Sequence, residues 1–265
     1  MRIKTQNLYK FHHLTHKMGY WPIVLNALKN SDLVLLVVDA RMPEISRNKE
    51  ILKKTENLKK RTIIVFNKID LISKDDLEKL KKENIDSHFV SCNKRIGIRE
   101  LREFLENKAE NFNKKSFRIG IVGYPNVGKS SIINLIAPKS KLKVSKISGT
   151  TKKISWIRVG KLRIMDSPGV IPFTDQKTEM GLTASKDPYK IKDPEKVALK
   201  IVEFLNKKNK EILKKFYQVN SNKDYDLFLE IGRKKGFLIK GGEIDIDRTS
   251  RLILKDWQTG KIKIF

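Results

Sequence analysis

Cysteine is nearly missing: Cys92 is the only one among 265 residues. A single thiol cannot close a disulfide within the chain or build a zinc cluster from thiolates, so a reducing, cytoplasmic setting is expected. Long apolar runs are missing as well. The longest purely aliphatic stretch, Leu33–Val38, has six residues, whereas a membrane-spanning helix needs roughly twenty. Met1–Lys10 lacks the apolar core of a secretory signal, so none is expected. Acidic residues are scarce too. Thirty Asp and Glu stand against 57 Lys and Arg, a formal net charge of +27. The shortage is sharpest between Glu110 and Asp166, where 55 residues hold no acid and 13 Lys or Arg. Such an excess points to a polyanionic partner, nucleic acid above all, and to a bound anion near the acid-free stretch. A lysine-rich surface serving solubility alone is the plainer reading. With 39% apolar residues the chain still has enough to bury a core.

Short β-rich apolar runs predict strands at Asp32–Val38, Thr62–Phe66, Ser87–Ser91, Phe117–Val122, Ile154–Val159 and Leu162–Met165. Helical patterns alternate with the first four, near Ile45–Leu58, Lys74–Lys82, Ile98–Asn107 and Lys129–Leu135. Alternation of this kind implies a mostly parallel sheet with helices on both faces. Gly160-Lys161 between the last two strands is a hairpin signal, so one edge should be antiparallel. Beyond Pro172 only helical faces recur, marked by Val197/Ile201/Val202/Leu205, Ile212/Leu213/Phe216/Tyr217, Leu227/Phe228/Ile231 and Ile246/Ile253/Trp257. The expected organisation is an α/β domain over 1–172, opening with a helical segment over 1–30, and a small all-helical domain over 173–265.

Gly123-Tyr-Pro-Asn-Val-Gly-Lys-Ser130 fits the phosphate-binding loop, Gly-x4-Gly-Lys-Ser, between a predicted strand and a predicted helix. Backbone N–H groups of such a loop and the helix N-terminus surround phosphate oxygens. Pro125, Asn126, Val127, Gly128 and Ser131 would line the nucleotide, Lys129 would reach the β- and γ-phosphates, and Ser130 would hold Mg²⁺. Asn67-Lys-Ile-Asp70 follows another strand. The Asp70 carboxylate can accept from guanine N1–H and the 2-amino group, a pattern adenine does not present. Asn67 would meet N7 and tether the phosphate loop, while the Lys68 stem packs on the base. Asn107-Lys-Ala-Glu110 is a near miss that follows a helix instead. Ser91-Cys92, about twenty residues after Asp70, suits a loop whose backbone N–H contacts guanine O6. The plain alternative for Cys92 is a small half-buried hydrophobe. Asp166-Ser-Pro-Gly169 ends the sixth strand. Asp166 can hold a Mg²⁺-bound water, and the Gly169 N–H can sense the γ-phosphate. In Ser148-Gly-Thr-Thr151, Thr151 supplies the second Mg²⁺ hydroxyl within a first switch over 139–153.

These are the parts of a P-loop GTPase in permuted order, with the base-reading motifs ahead of the phosphate-reading ones. A closed domain tolerates this when its original ends lie close together. Conventional topology then predicts the strand order five, six, four, one, two, three, and a C-terminal unit tethered directly after Gly169.

At this point the chain resembles the circularly permuted GTPases of the YlqF/RbgA type, which are ribosome-assembly factors. The resemblance runs through Asp39-Ala-Arg-Met-Pro43 with Ser46-Arg-Asn48, the phosphate motifs, Ile231-Gly-Arg-Lys-Lys-Gly236, Gly241-Gly-Glu243 and Asp256-Trp-Gln-Thr-Gly260. Sister permuted families fit less well. One carries an N-terminal OB-fold, with only about thirty residues available here before the first strand; another needs a zinc finger. Many GTPases orient the attacking water with a Gln just after Asp-x-x-Gly; here Val170 stands there. The resemblance implies two substitutes. Asn126 would help coordinate K⁺ between the β- and γ-phosphates. His16, in Thr15-His16-Lys17-Met18 where the family usually has Gly-His-Met, would act in hydrolysis. It further implies docking on ribosomal RNA or a large-subunit precursor; GTP or GDP is the expected ligand, and a monomer is expected. Lys139, Lys141, Lys143, Lys152 and Lys153 form one candidate RNA-facing cluster. Arg233, Lys234, Lys235, Arg248, Arg251 and Lys255 form the other. The alternatives are an RNA-binding assembly factor with a vestigial nucleotide site and a GTPase acting on tRNA or translation.

Overall fold

The computed structural model describes residues 21–113, 115–138, 155–170 and 187–265. His16, Thr151, the first basic cluster and the expected 172/173 boundary lie outside the described residues.

The strands are β1 (Leu33–Asp39), β2 (Thr62–Asn67), β3 (His88–Phe89), β4 (Phe117–Gly123), β5 (Ser155–Val159) and β6 (Leu162–Asp166). They form one six-stranded sheet in the order β3-β2-β1-β4-β6-β5. This is the permuted order expected from the sequence, read from the opposite edge. All pairings are parallel except β5 with β6, whose antiparallel register places Val159 opposite Leu162 across Gly160-Lys161.

The α-helices are α1 (Trp21–Asn30), α2 (Pro43–Ser46), α3 (Lys49–Asn57), α4 (Lys74–Glu83), α5 (Ile98–Glu110), α6 (Lys129–Ile136), α7 (Pro194–Lys208), α8 (Glu211–Tyr217), α9 (Asp224–Lys234) and α10 (Ile246–Gln258). None of the described helices is long and apolar enough to cross a membrane.

Strand β1 shows why the sheet sits centrally. All seven of its residues are buried, because a parallel strand covered on both faces has no solvent side. Its period of two sends alternate residues to opposite cores. Leu33, Leu35 and Val37 join α5 and α6 through Leu101, Leu105, Ile132 and Ile133. Val34, Leu36 and Val38 belong to the other core, which also contains Trp21, Val197, Ile201, Leu213, Phe228, Ile253 and Trp257. The C-terminal helices thus share an apolar cluster with one face of the sheet.

Three local expectations need correction. The helix expected over Ile45–Leu58 is broken, with α2 and α3 separated by Arg47 and Asn48. Asn48 caps α3, its Oδ1 accepting from Ile51 N–H at 2.9 Å, and a cap needs the extended backbone that ends α2. The strand expected over Ser87–Ser91 shrinks to two residues, since Ser91 turns to pair with Ile96 rather than with β2. Past Pro172 the backbone is not purely helical: Leu238 bridges Ile244, and Ile264 bridges Ile72.

Candidate nucleotide site

The loop after β4 is built for close approach. Gly128, the residue before α6, has φ +104, and a Cβ there would lie 2.1 Å from Asn67 Nδ2. Only glycine accepts both conditions. Asn126 takes a left-handed φ of +60, which Asn tolerates better than most residues. Asn67 Nδ2 donates to Val127 O at 2.8 Å, the tether between base-reading and phosphate-reading segments that the sequence suggested. The two segments are 60 residues apart in the chain.

Lys129 is buried. Its Nζ donates to Gly123 O at 3.1 Å and Tyr124 O at 2.6 Å, holding it inside the loop where phosphate oxygens would sit. Burial pushes its pKa down to about 8, against the opposing pull of Asp166. Ser130 Oγ donates to Asp166 Oδ2 at 3.1 Å, so the two expected Mg²⁺ groups are side by side at the start of α6 and the end of β6. Hard oxygen donors beside a phosphate loop are the set that Mg²⁺ takes, since it binds through one or two carboxylates plus substrate phosphates. Gly169 packs on the loop so tightly that a Cβ would lie 2.5 Å from Pro125 N. Val170 donates its N–H to Gly123 O at 3.2 Å and is buried in the core. An apolar side chain directed inward there cannot order a water molecule.

On the base side, Asn67, Lys68, Asp70, Leu71, Cys92, Asn93, Arg95, Asn126, Gly128 and Ser131 converge on one cavity of about 580 Å³. Asp70 Oδ1 accepts from Ser91 Oγ at 2.6 Å, and its Oδ2 from Asn93 Nδ2 at 3.4 Å, which fixes the carboxylate plane. Cys92 donates its N–H to Asn67 Oδ1 at 3.2 Å, so the O6 contact expected of that N–H would compete with an internal bond. Burial pushes the Cys92 thiol up to about 12, which leaves it protonated and unreactive at neutral pH. Lys68 stands at φ +67 in the turn after β2, and its Nζ donates to Asp39 Oδ2 at 2.7 Å.

Asp39, Arg41, Asn93 and Gln258–Gly260 received no role from motif reading. For Asp39 a signal existed: it ends β1 in register with Asn67 at the end of β2. Loop residues at the C-terminal ends of adjacent parallel strands share a crevice. Of the second basic cluster, Arg233, Lys234, Lys235, Arg248 and Lys255 are exposed, with Arg248 stacked 4.2 Å over Phe237. Arg251 is engaged internally, donating to both Asp247 oxygens and, through Nη1, to Pro188 O at 2.6 Å.

Comparisons with known proteins agree with this geometry. The family model described as RsgA GTPase matches residues 22–174, through the base-reading half and into the phosphate-reading half. The model described as 50S ribosome-binding GTPase matches residues 118–231. The uncharacterized GTP-binding protein MJ1464 of Methanocaldococcus jannaschii is 40% identical over 248 residues, which is 92% of this chain and 66% of that relative. Ribosome biogenesis GTPase A of Priestia megaterium is 33% identical over 264 residues, 91% of this chain and 90% of its own length. The structure of GNP-bound YlqF from T. maritima aligns over 88% of this chain and 90% of that one, with a TM-score of 0.57 and 26% identity. The chain therefore belongs to the circularly permuted GTPases of the YlqF/RbgA type.

Proposed function

We propose that this chain binds GTP, hydrolyses it to GDP and uses the cycle as a timer in large ribosomal subunit assembly. The observation that carries the reading is the convergence of Asn67, Asp70, Gly128 and Ser131 on one cavity, with Lys129 and the Ser130–Asp166 pair at the phosphate end. Asp70 accepts from the guanine N1–H and 2-amino edge. Lys129 exchanges its two loop carbonyls for phosphate oxygens, keeping a positive charge where negative charge grows in the transition state. Ser130 directly, Asp166 through water and Thr151 would hold Mg²⁺, which neutralises charge on the β- and γ-oxygens when bound. Asn126 would serve a K⁺ ion at the same phosphates. Val170, at the position of the absent Gln, is buried in the core, and His16 is the candidate for that work. Gly169, pressed on the phosphate loop, would pass the presence of the γ-phosphate to the chain that follows it.

The name of the Priestia relative and the net charge of +27 support a ribosomal partner reached through RNA. The exposed cluster around Arg233–Lys235 supports the same reading. A protein acting on free RNA with a dead nucleotide site is disfavoured by the intact Asp70, Lys129, Ser130 and Asp166. Titration with labelled GTP, followed by turnover, tests the reading. Saturable binding that GDP competes and ADP does not is the expected result. In Asp70→Asn an amide donor faces the guanine donors, so GDP affinity falls roughly hundredfold, about 3 kcal/mol, while xanthosine diphosphate, which offers an acceptor at that edge, gains. Equal affinity for ADP and GDP in the unaltered protein would defeat the proposal.

A further inference from the structure

The base cavity has one wall that no nucleotide motif supplies. Gln258, Thr259 and Gly260, where α10 ends, line it beside Lys68, Asp70 and Leu71. This turn is tied to the base-reading segment in three ways. First, Gly260 lies so near Leu71 that a Cβ there would come 2.9 Å from Leu71 Cδ1. Second, the chain beyond it returns alongside the same segment: Ile264 donates its N–H to Leu71 O at 2.8 Å and bridges Ile72.

The third tie is a buried side-chain relay. Arg41 Nη1 donates to Trp257 O at 2.7 Å, and its guanidinium stacks 3.8 Å over the Trp257 ring. The rest of that guanidinium grips Asp39, through Nε at 3.1 Å and Nη2 at 2.8 Å. Asp39 Oδ2 in turn accepts from Lys68 Nζ. Arg41 is thus the positioning residue between Trp257, one residue before the cavity wall, and Lys68, whose stem borders the base site.

We propose that Gln258–Gly260 completes the guanine pocket and that Arg41 locks this turn to Lys68, so that docking of α10 responds to occupancy by the guanine base. The proposal rests on the nucleotide-binding reading above. Its consequence is specific. Guanine is the same in GDP and GTP, so this coupling reports whether the site is loaded, not whether the γ-phosphate remains. Hydrolysis is sensed at the other end of the cavity, at Gly169. By linkage, anything that pulls α10 away weakens nucleotide binding by the same factor that nucleotide strengthens docking.

Hydrogen exchange of the full chain, read peptide by peptide without nucleotide, with GDP and with a non-hydrolysable GTP analogue, tests this. Exchange over 67–71 and over 257–264 should slow together, at least tenfold, and by the same factor within twofold for both nucleotides. In Arg41→Lys, which keeps the charge but loses the fork and the ring stacking, slowing over 257–264 should fall at least threefold while 67–71 still responds. Slowing of 67–71 with no change over 257–264 overturns the proposal, as does slowing of 257–264 by the GTP analogue alone. No response over 67–71 with either nucleotide would instead defeat the nucleotide reading beneath it. The unaltered protein decides the matter even where Arg41→Lys fails to fold.

Discussion

Two buried charges are handled in different ways. Burial raises the Asp39 carboxyl, but the adjacent Arg41 and Lys68 outweigh it and hold the group well below the usual carboxylate range. Asp39 therefore stays ionised at neutral pH, and its contribution to stability is lost only as pH falls below about 4. Among the described residues Lys129 has no such partner at hydrogen-bonding distance on its ammonium but two carbonyls, so burial dominates and its pKa falls to about 8. The phosphates of a nucleotide favour the charged form. Affinity for GDP should hence be flat between about pH 7 and 8 and fall above it, by up to tenfold per pH unit, when followed by calorimetric titration. The nucleotide-free protein has the opposite sign. A folded pKa below the ordinary 10.5 means that the Lys129 contribution to stability rises as pH climbs from about 8 towards 10.5. Lys129→Met should abolish the break in the affinity profile; its persistence would remove Lys129 as the titrating group.

At the scale of elements, the break between α2 and α3 places Asn48 where one side chain serves two ends of the fold. Its Oδ1 caps α3 through Ile51, and its Nδ2 donates to Val170 O at 3.3 Å, 122 residues away. Val170 directly follows the Gly169 that packs on the phosphate loop. Asn48→Ala should cost about 1–2 kcal/mol from the lost cap, with a further contribution from the buried carbonyl left without that donor. Urea unfolding reads the total, and a change below 0.5 kcal/mol, roughly the scatter of surface substitutions, would sink the assignment. Helix α10 is secured similarly at its start, where Asp245 Oδ1 accepts from Arg248 N–H at 2.9 Å. Its far end is then held by Arg41 and the Ile264 bridge, so the helix spans from the exposed basic surface to the cavity that Asp70 and Gly128 line.

For the whole molecule, the charge distribution and the fold meet at the C-terminal helices. They share a core with the sheet face that carries Val34, Leu36 and Val38, while their outer side presents Arg233, Lys234, Lys235 and Lys255. If RNA phosphates are neutralised there, log affinity for ribosomal RNA falls linearly with log salt. Replacing Arg233, Lys234 and Lys235 by Ala should reduce that slope by about 2–3, close to 0.9 per lost phosphate contact. An unchanged slope would place the RNA elsewhere. In cell extract, cosedimentation with large-subunit particles in the GTP-analogue state and release with GDP is the matching expectation. Particle binding equal in both states would leave the chain without the proposed timer.

What the sequence determined by itself was whatever local spacing encodes. A glycine-rich loop between a strand and a helix, Asn-Lys-x-Asp after another strand and Asp-x-x-Gly after a third are recognisable because each needs residues within a few positions. Their inverted order, laid on the conventional topology of a P-loop GTPase, predicts the strand order that the sheet adopts. Tertiary structure decided what depends on distant partners. The Arg41–Trp257 contact joins residues 216 apart, and no spacing rule reaches that far. Asn48 reads as part of a continuous helix until its side chain finds Ile51 and Val170. Gln258–Gly260 belongs to a segment that carries the family resemblance but shows no tie to the base-reading motif until the fold lays it against Leu71. Chemistry carried by neighbours in the chain is written in the chain, whereas a wall of the pocket built from the last helix exists only once the core it shares with the sheet has formed.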